Sequence, residues 1–498
     1  MAKYVLAHDL GTSGNKATLF DENGRLVASA VSSYAMEVFN GNWAEQDPAV
    51  WWNAVCESSR SVLEKIDRKE LAAVAFSAQM MGCLVVDRNG RPLHKALLYC
   101  DQRSEKQIAR LVARTGFETM YRITGHRPSA SYSLSKLLWI RDNLPDVFEK
   151  TAKMLQAKDY MNFLLTGTMV TDYNDASGTN AFDLHTFTWS DEIIGKAGIS
   201  RSLFPDAVPS SRVIGTVTPW AGAQTGIPAG VTVVAGSGDG GCASVGAGSV
   251  AEYRPYCYLG SSSWVSIASK TILDDPDMIG FTWAHPVNGL YQPCATMQTA
   301  GSSISWFAET FLGRSDGKTL DTVNHMAAQS PAGANGVTFL PYLLGERSPW
   351  WDTNARGVFL GMSLNTGFND FCRALFEGIA MNLYLNFRPM QKLATEKYLR
   401  LIGGGALNTL LVQTIADVFG CELLIPEFLT EATSMGAAAL AGIGAGVYGG
   451  FDIVESMNPG SRKISPDMKN HELYCKKIES FKKAYTDLKG WFSSGKEY

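Results

Sequence analysis

The chain has no Cys-x-x-Cys pair and no His-x-x-x-His pair anywhere in its 498 residues. Its nine cysteines are scattered and odd in number, which suits free thiols in a reducing cytoplasm and gives no zinc site. An excess of charge of either sign is also missing. A net charge of −4 argues against a general nucleic-acid binder, which would normally carry a basic face. There is no Walker sequence (GxxxxGK[ST]) and no protein-kinase HRD…DFG set, so two nucleotide-binding classes drop out. The opening Met1-Ala2-Lys3 runs straight into a strand pattern, so no signal peptide is expected. One uncharged run, 432–451, approaches membrane-spanning length, but Gly436, Gly442, Gly444, Gly446, Gly449 and Gly450 interrupt it. It reads as a small-residue helix packed inside the protein, and no membrane partner is expected.

What is present is a folded composition too long for one ordinary core, so two or three domains are expected. The most informative stretch is Gly236-Ser237-Gly238-Asp239-Gly240-Gly241, which follows the apolar run 231–235. A short β-branched run ending in glycines reads as a buried strand breaking into a loop, where backbone can approach a ligand closely. The N-terminus carries a counterpart, Tyr4 to Asp9 followed by Gly11-Thr12-Ser13-Gly14. His8, beside Asp9, points to the opposite face of its strand and reads as packed core.

Strands are predicted over 4–9, 16–21 and 26–34, the last two joined by a Glu22-Asn23-Gly24 turn. Asp47 and Pro48 then start a helix with Trp51, Val55, Val62 and Ile66 on one stripe. A strand over 71–76 follows, then a hairpin of 83–87 with 96–99, and a helix over 154–166. The second half repeats strand, small-residue turn, strand: 231–235 to the Asp239 loop, then 250–259, Gly260-Ser261-Ser262 and 264–269. Two βββαβα-like halves facing across a cleft would put Asp9 and Asp239 on opposing walls. The expected boundary divides 1–245 from 246–498. Late in the chain, Gly403-Gly404-Gly405-Ala406 opens a helix bearing Leu411, Ile415 and Phe419 and closed by Gly420. A terminal amphipathic helix starts near Pro466 and carries Tyr474, Ile478, Phe481, Tyr485 and Leu488, with fraying expected from Ser493.

A Gly/Ser/Thr turn can form an anion nest, and a helix start with exposed N–H groups favours a phosphate. Together with Trp43-Ala44-Glu45-Gln46-Asp47-Pro48, Gln79-Met80-Met81-Gly82, Asp101-Gln102-Arg103, the segments 131–139 and 171–179, and Gly345-Glu346-Arg347-Ser348-Pro349, these loops make an ordered series. The series resembles the FGGY family of carbohydrate kinases, most of all its xylulokinases, over nearly the whole length. The resemblance implies two α/β actin-like ATPase (ribonuclease H-like) domains facing each other across a central cleft. Residues 1–245 would bind the sugar and 246–498 the nucleotide.

It further implies an ATP-dependent sugar kinase using Mg²⁺, with D-xylulose as the leading acceptor. Asp239 would be the general base and Asp9 would hold Mg²⁺ through water. Thr12, Ser13 and Gly14 would contact the phosphates from one side, Gly260 and Ser261 from the other. Gly301, Gly404, Gly405 and Asn408 would line the adenosine pocket. Gln79, Met80, Met81, Asp101 and Arg103 would face the sugar, although an internal ion pair is an alternative for the last two. Lys16 reads equally as a phosphate-side charge or a solvated strand lysine. Relatives are often dimers, so a homodimer is allowed. Two positions depart from the xylulokinase pattern: Met81 stands where a His is usual, and Gly240 where an Asn commonly follows the base. They leave another ketopentose such as ribulose, a polyol such as erythritol, or a sugar acid such as gluconate in competition; a non-catalytic nucleotide-dependent sugar-binding protein is a further alternative, against which the presence of both Asp9 and Asp239 weighs.

Overall fold

The computed structural model describes residues 3–394 and 398–494. Among these, two seven-stranded sheets carry the architecture. The first contains β1 (Tyr4–Leu10), β2 (Gly14–Asp21), β3 (Leu26–Ser33), β4 (Leu71–Ala78), β5 (Val213–Thr216) and β6 (Thr232–Val234) in the order β5-β6-β4-β1-β2-β3, with the short β7 (Ser237–Gly238) beside β4. The second contains β8 (Pro255–Leu259), β9 (Ser263–Ile267), β10 (Phe281–Ala284), β11 (Tyr291–Met297), β12 (Tyr398–Ile402), β13 (Glu422–Pro426) and β14 (Ser461–Ile464) in the order β10-β11-β9-β8-β12-β13-β14.

Six strands of each sheet correspond, leaving β7 in the first and β10 in the second without a counterpart. In the first, β1 is antiparallel to β2 and parallel to β4, and β4 continues parallel to β6, which meets β5 antiparallel. In the second, β8 is antiparallel to β9 and parallel to β12, and β12 continues parallel to β13, which meets β14 antiparallel.

A strand buried on both faces should read as a continuous apolar run, and β4 does from Leu71 to Phe76. One face places Leu6, Val74 and Phe76 against Trp51, Val55 and Val62 of α1 (Pro48–Leu63). The other places Val5, Ala7, Ala73 and Ala75 against α6 (Ala432–Gly444), a helix from the far end of the chain. Between them come α2 (Asp239–Gly246), α3 (Gly301–Leu312), the long buried α4 (Phe368–Phe387) and α5 (Thr409–Phe419); α7 (Met468–Ser494) closes the second core with Tyr474, Ile478, Phe481 and Tyr485.

The uncharged run is therefore the interior helix the glycines implied. It crosses α2 at backbone distance: a Cβ on Gly246 would lie 1.9 Å from the Ala432 carbonyl oxygen, and one on Gly436 2.1 Å from that of Cys242. His8 is buried as expected, stacked on Phe76 at 4.8 Å, and burial pushes its pKa down to about 3.

Several expectations change. The duplicated unit begins at Pro255 rather than at 231, because β6 and β7 complete the first sheet beside β4. Asp9 and Asp239 consequently share one wall. Residues 250–254 are not strand, and Ile66 lies beyond the end of α1. The runs around Asn89-Gly90 form isolated bridges, Cys83↔Leu97 and Val86↔Pro92, and no hairpin ladder; Leu84–Val86 pairs with Lys153–Leu155, and Ala96–Leu97 with Trp43–Gln46. That pairing takes Met154 and Leu155 out of the predicted helix, which starts at Ala157. The terminal helix remains regular to Ser494, and the rest of the expected fraying lies outside the described residues.

Candidate active site

The first sheet brings two carboxylates to one edge. Asp9 on β1 and Ser237 on β7 both pair with Ser77 of the intervening β4. Asp9 Oδ1 accepts from Ser77 Oγ at 3.1 Å, and Oδ2 accepts from Thr433 Oγ1 at 2.6 Å. Burial raises the Asp9 pKa, opposed by these hydroxyls and by Lys16. Lys16 is not free in solvent: its Nζ pairs with Glu431 at 3.1 Å, joining β2 to the start of α6.

Asp239 is the first residue of α2, after a Gly238 cap, rather than part of an open loop. The helix N-terminus favours its anion. Its carboxyl is exposed to the cleft, with Oδ1 accepting the Gly240 N–H at 2.7 Å; desolvation by the protein around it, then the like charge of Asp9, outweigh that bond and lift its pKa to about 7.

Asp239 and Gly240 line a cavity of about 280 Å³ with Gln79, Met80 and Met81. Met81 adopts a left-handed backbone, φ 62°, and its N–H donates to Gln156 Oε1 at 2.6 Å. Trp264 of β9 and Gln292 of β11 line the cavity from the second sheet, with Arg347 and Trp351 after them. Trp264 stacks on Tyr258 at 4.1 Å and donates through Nε1 to Tyr256 Oη at 3.1 Å. Gln292 Nε2 donates to Gly240 O at 3.1 Å and to Tyr256 Oη at 3.2 Å.

The phosphate-type turns occupy equivalent places in the two sheets, between β1 and β2 and between β8 and β9. Gly11 N–H closes the first on Gly14 O at 2.9 Å, and Gln46 Nε2 donates to Thr12 O at 2.7 Å. In the second, the N–H groups of Ala300 and Ser302 donate to Ser261 O at 2.8 and 3.1 Å, and that of Gly301 to Gly260 O at 2.9 Å. A Cβ on Gly301 would lie 2.7 Å from that same Gly260 oxygen, so α3 begins in backbone contact with the turn. The glycine loop packs against the end of β8 in the same way. Gly405 could not carry a Cβ without meeting that of Leu259 at 2.8 Å, whereas the position at Gly404 is open. Asn408 caps α5, its Oδ1 accepting from Leu411 N at 2.9 Å.

The family model described as "FGGY family of carbohydrate kinases, N-terminal domain" matches residues 4–246, and its C-terminal counterpart matches residues 256–445. The chain belongs to this family. It is 30% identical to a xylulose kinase of Bacillus subtilis over 98% of this chain and 97% of that one. Among solved structures it superposes on a xylulose kinase from Lactobacillus acidophilus with TM-score 0.93 at 26% identity, covering 99% of both chains. A gluconate kinase from the same species gives 0.92 at 26% identity, covering 98% of both. The chain is thus a carbohydrate kinase, a phosphotransferase with an alcohol acceptor, built on the two-domain actin-like fold.

As an FGGY kinase it gathers Gln79, Met80, Met81 and Asp239 around one cavity, and leaves two expected residues out. Asp101 is fully buried, accepting the Ala44 N–H at 2.7 Å and pairing with Arg103 Nη2 at 2.7 Å. Arg103 also reaches Glu45 at 2.7 Å, and its guanidinium lies 3.9 Å from the Trp43 ring centroid. Neither lines the cavity, because their polar atoms are spent on each other and on the chain around Trp43. Conversely, Tyr99, Arg127, Tyr132, Trp264, Gln292, Arg347 and Trp351 line it without having been singled out. Arg347, in Gly-Glu-Arg-Ser-Pro, and Tyr132, in the segment 131–139, lay in motifs; the others come from strands and loops whose local pattern signals packing.

Proposed function

We propose that the chain transfers the γ-phosphate of ATP to a hydroxyl of a small sugar, with D-xylulose, giving D-xylulose 5-phosphate, as the first acceptor. The observation that carries this reading is Asp239, a carboxyl with pKa about 7 at the wall of a sugar-sized cavity and next to Asp9. A general base works best with a pKa near the operating pH. Asp239 takes the proton from the acceptor hydroxyl as the oxygen–phosphorus bond forms, and the bond to the leaving diphosphate breaks in line.

The residues present fit a magnesium nucleotide. Asp9 offers an oriented carboxylate, and magnesium keeps most of its waters and needs few protein ligands. Bound there, the ion neutralises charge on the transferring phosphoryl group. The turns at Thr12-Ser13-Gly14 and Gly260-Ser261 offer backbone to phosphates, and the open face of Gly404 leaves room for a planar base beside Gly405 and Asn408. A boundary near residue 245, work in the cytoplasm and a homodimer belong to the same proposal. Among the described residues no helix is long and apolar enough to cross a membrane.

The second reading is another ketopentose, a polyol or a sugar acid. Met81 and Gly240 favour it, since both remove side-chain hydrogen-bonding capacity beside the base. Sugar-dependent ADP release, measured with Mg-ATP over D-xylulose, ribulose, erythritol and gluconate, tests both readings. Release with none of these, unchanged in Asp239→Asn, overturns the kinase assignment; release with an acceptor other than D-xylulose selects the second reading.

A further inference from the structure

We propose that Gln292 is a specificity-determining residue, reading a hydroxyl of the acceptor sugar next to the one that reacts; this rests on the kinase reading above. Gln292 belongs to the second sheet, yet it is tied to the residue following the base in the first. Its side chain is buried, 1% exposed, and the residue lines the cavity that holds Asp239.

Its amide orientation is fixed by its partners. Gly240 O can only accept, so the group facing it at 3.1 Å is the NH₂. The same nitrogen lies 3.2 Å from Tyr256 Oη, which also receives Trp264 Nε1 at 3.1 Å. Both amide hydrogens are thereby committed, and Gln292 Oε1 is left buried with no hydrogen-bond partner. A buried acceptor without a partner is costly and calls for a donor. A sugar hydroxyl is such a donor; a carboxylate or phosphate oxygen is not.

A second orphan supports the same chemistry. Gln79, from the first sheet, lines the cavity with its Oε1 also unpartnered, its Nε2 being held by Gln46 Oε1 at 3.0 Å. Two amide acceptors, one from each sheet, ask for a ligand carrying at least two hydroxyl donors. Gly240 explains why the second sheet supplies one of them. It has no side chain to offer the sugar, and the nearest atom to a Cβ placed there is Met80 Sδ at 3.8 Å, so that space is left open. Gln292 brings an amide against the backbone of that same residue instead.

The test pairs Gln292→Met, which keeps volume and removes the amide, with Tyr256→Phe, which removes the brace and keeps Oε1. Calorimetric sugar affinity without nucleotide is measured with kcat/KM over acceptors and their monodeoxy analogues. We expect Gln292→Met to weaken the best acceptor by about tenfold to a hundredfold. The KM for ATP should be unchanged, Tyr256→Phe should lose less, and one monodeoxy analogue should bind wild type and variant equally. A Gln292→Met that leaves affinity intact, or weakens every acceptor and every deoxy analogue alike, overturns the proposal. Wild-type protein that binds and phosphorylates none of the panel overturns the kinase reading instead, and this assignment with it.

Discussion

Thr433 Oγ1 donates to Asp9 Oδ2 at 2.6 Å, across 424 residues of chain. It fixes one oxygen of a carboxylate whose other oxygen is fixed by Ser77, and it favours the ionised form against the pull of burial. Thr433→Val should weaken Mg-nucleotide affinity about tenfold, and Thr433→Ser should restore it. Calorimetry checks both; unchanged affinity in the valine variant would show that Asp9 is not used.

Asp239→Asn keeps size and cavity shape but cannot accept the proton. Turnover should fall by ~10²–10⁴-fold, with sugar affinity within a few-fold of wild type. A coupled ADP assay and sugar titration separate the two; loss of binding rather than turnover would make Asp239 a sugar ligand.

The pH profile follows from the same group. Asp239 must be ionised to act, and its pKa is raised to about 7 by desolvation and by Asp9. Below that value the ionised fraction falls tenfold per pH unit, so kcat/KM should rise with pH and level off above about 7. The residual activity of Asp239→Asn should lack this limb; an inflection near an ordinary carboxylate value would contradict the assignment.

Arg103 separates a structural from a recognition role. Removing it strands Asp101 and Glu45 without their cation, and breaking a buried pair costs about 3–5 kcal/mol. Arg103→Ala should therefore unfold at clearly lower denaturant, followed by tryptophan fluorescence. Normal stability with lost sugar affinity would return Arg103 to the sugar site.

The alternation of strands, the Asp47-Pro48 helix start, the Gly420 stop and the interior helix at 432–444 were legible because each rests on local rules. Asp239 was legible as chemistry, but not its wall. That depends on β7 pairing with β4 across some 160 residues of sequence, which no local pattern encodes. For Asp101 and Arg103 the sequence left two readings open, a sugar contact or an internal ion pair, because an acid and a base two residues apart look the same whether they face a ligand or each other; in the fold they face each other. The cavity's aromatic and amide lining was missed because Trp264 and Gln292 sit in strands whose residues read as ordinary packing.

The position of α6 bears on how the molecule is made. A helix drawn from residues 432–444 covers the face of the first sheet formed by Val5, Ala7, Ala73 and Ala75. During synthesis this face waits, uncovered, until most of the chain has left the ribosome. The first 245 residues expressed alone would present it to other molecules. Such a fragment should aggregate unless the remainder is supplied in trans.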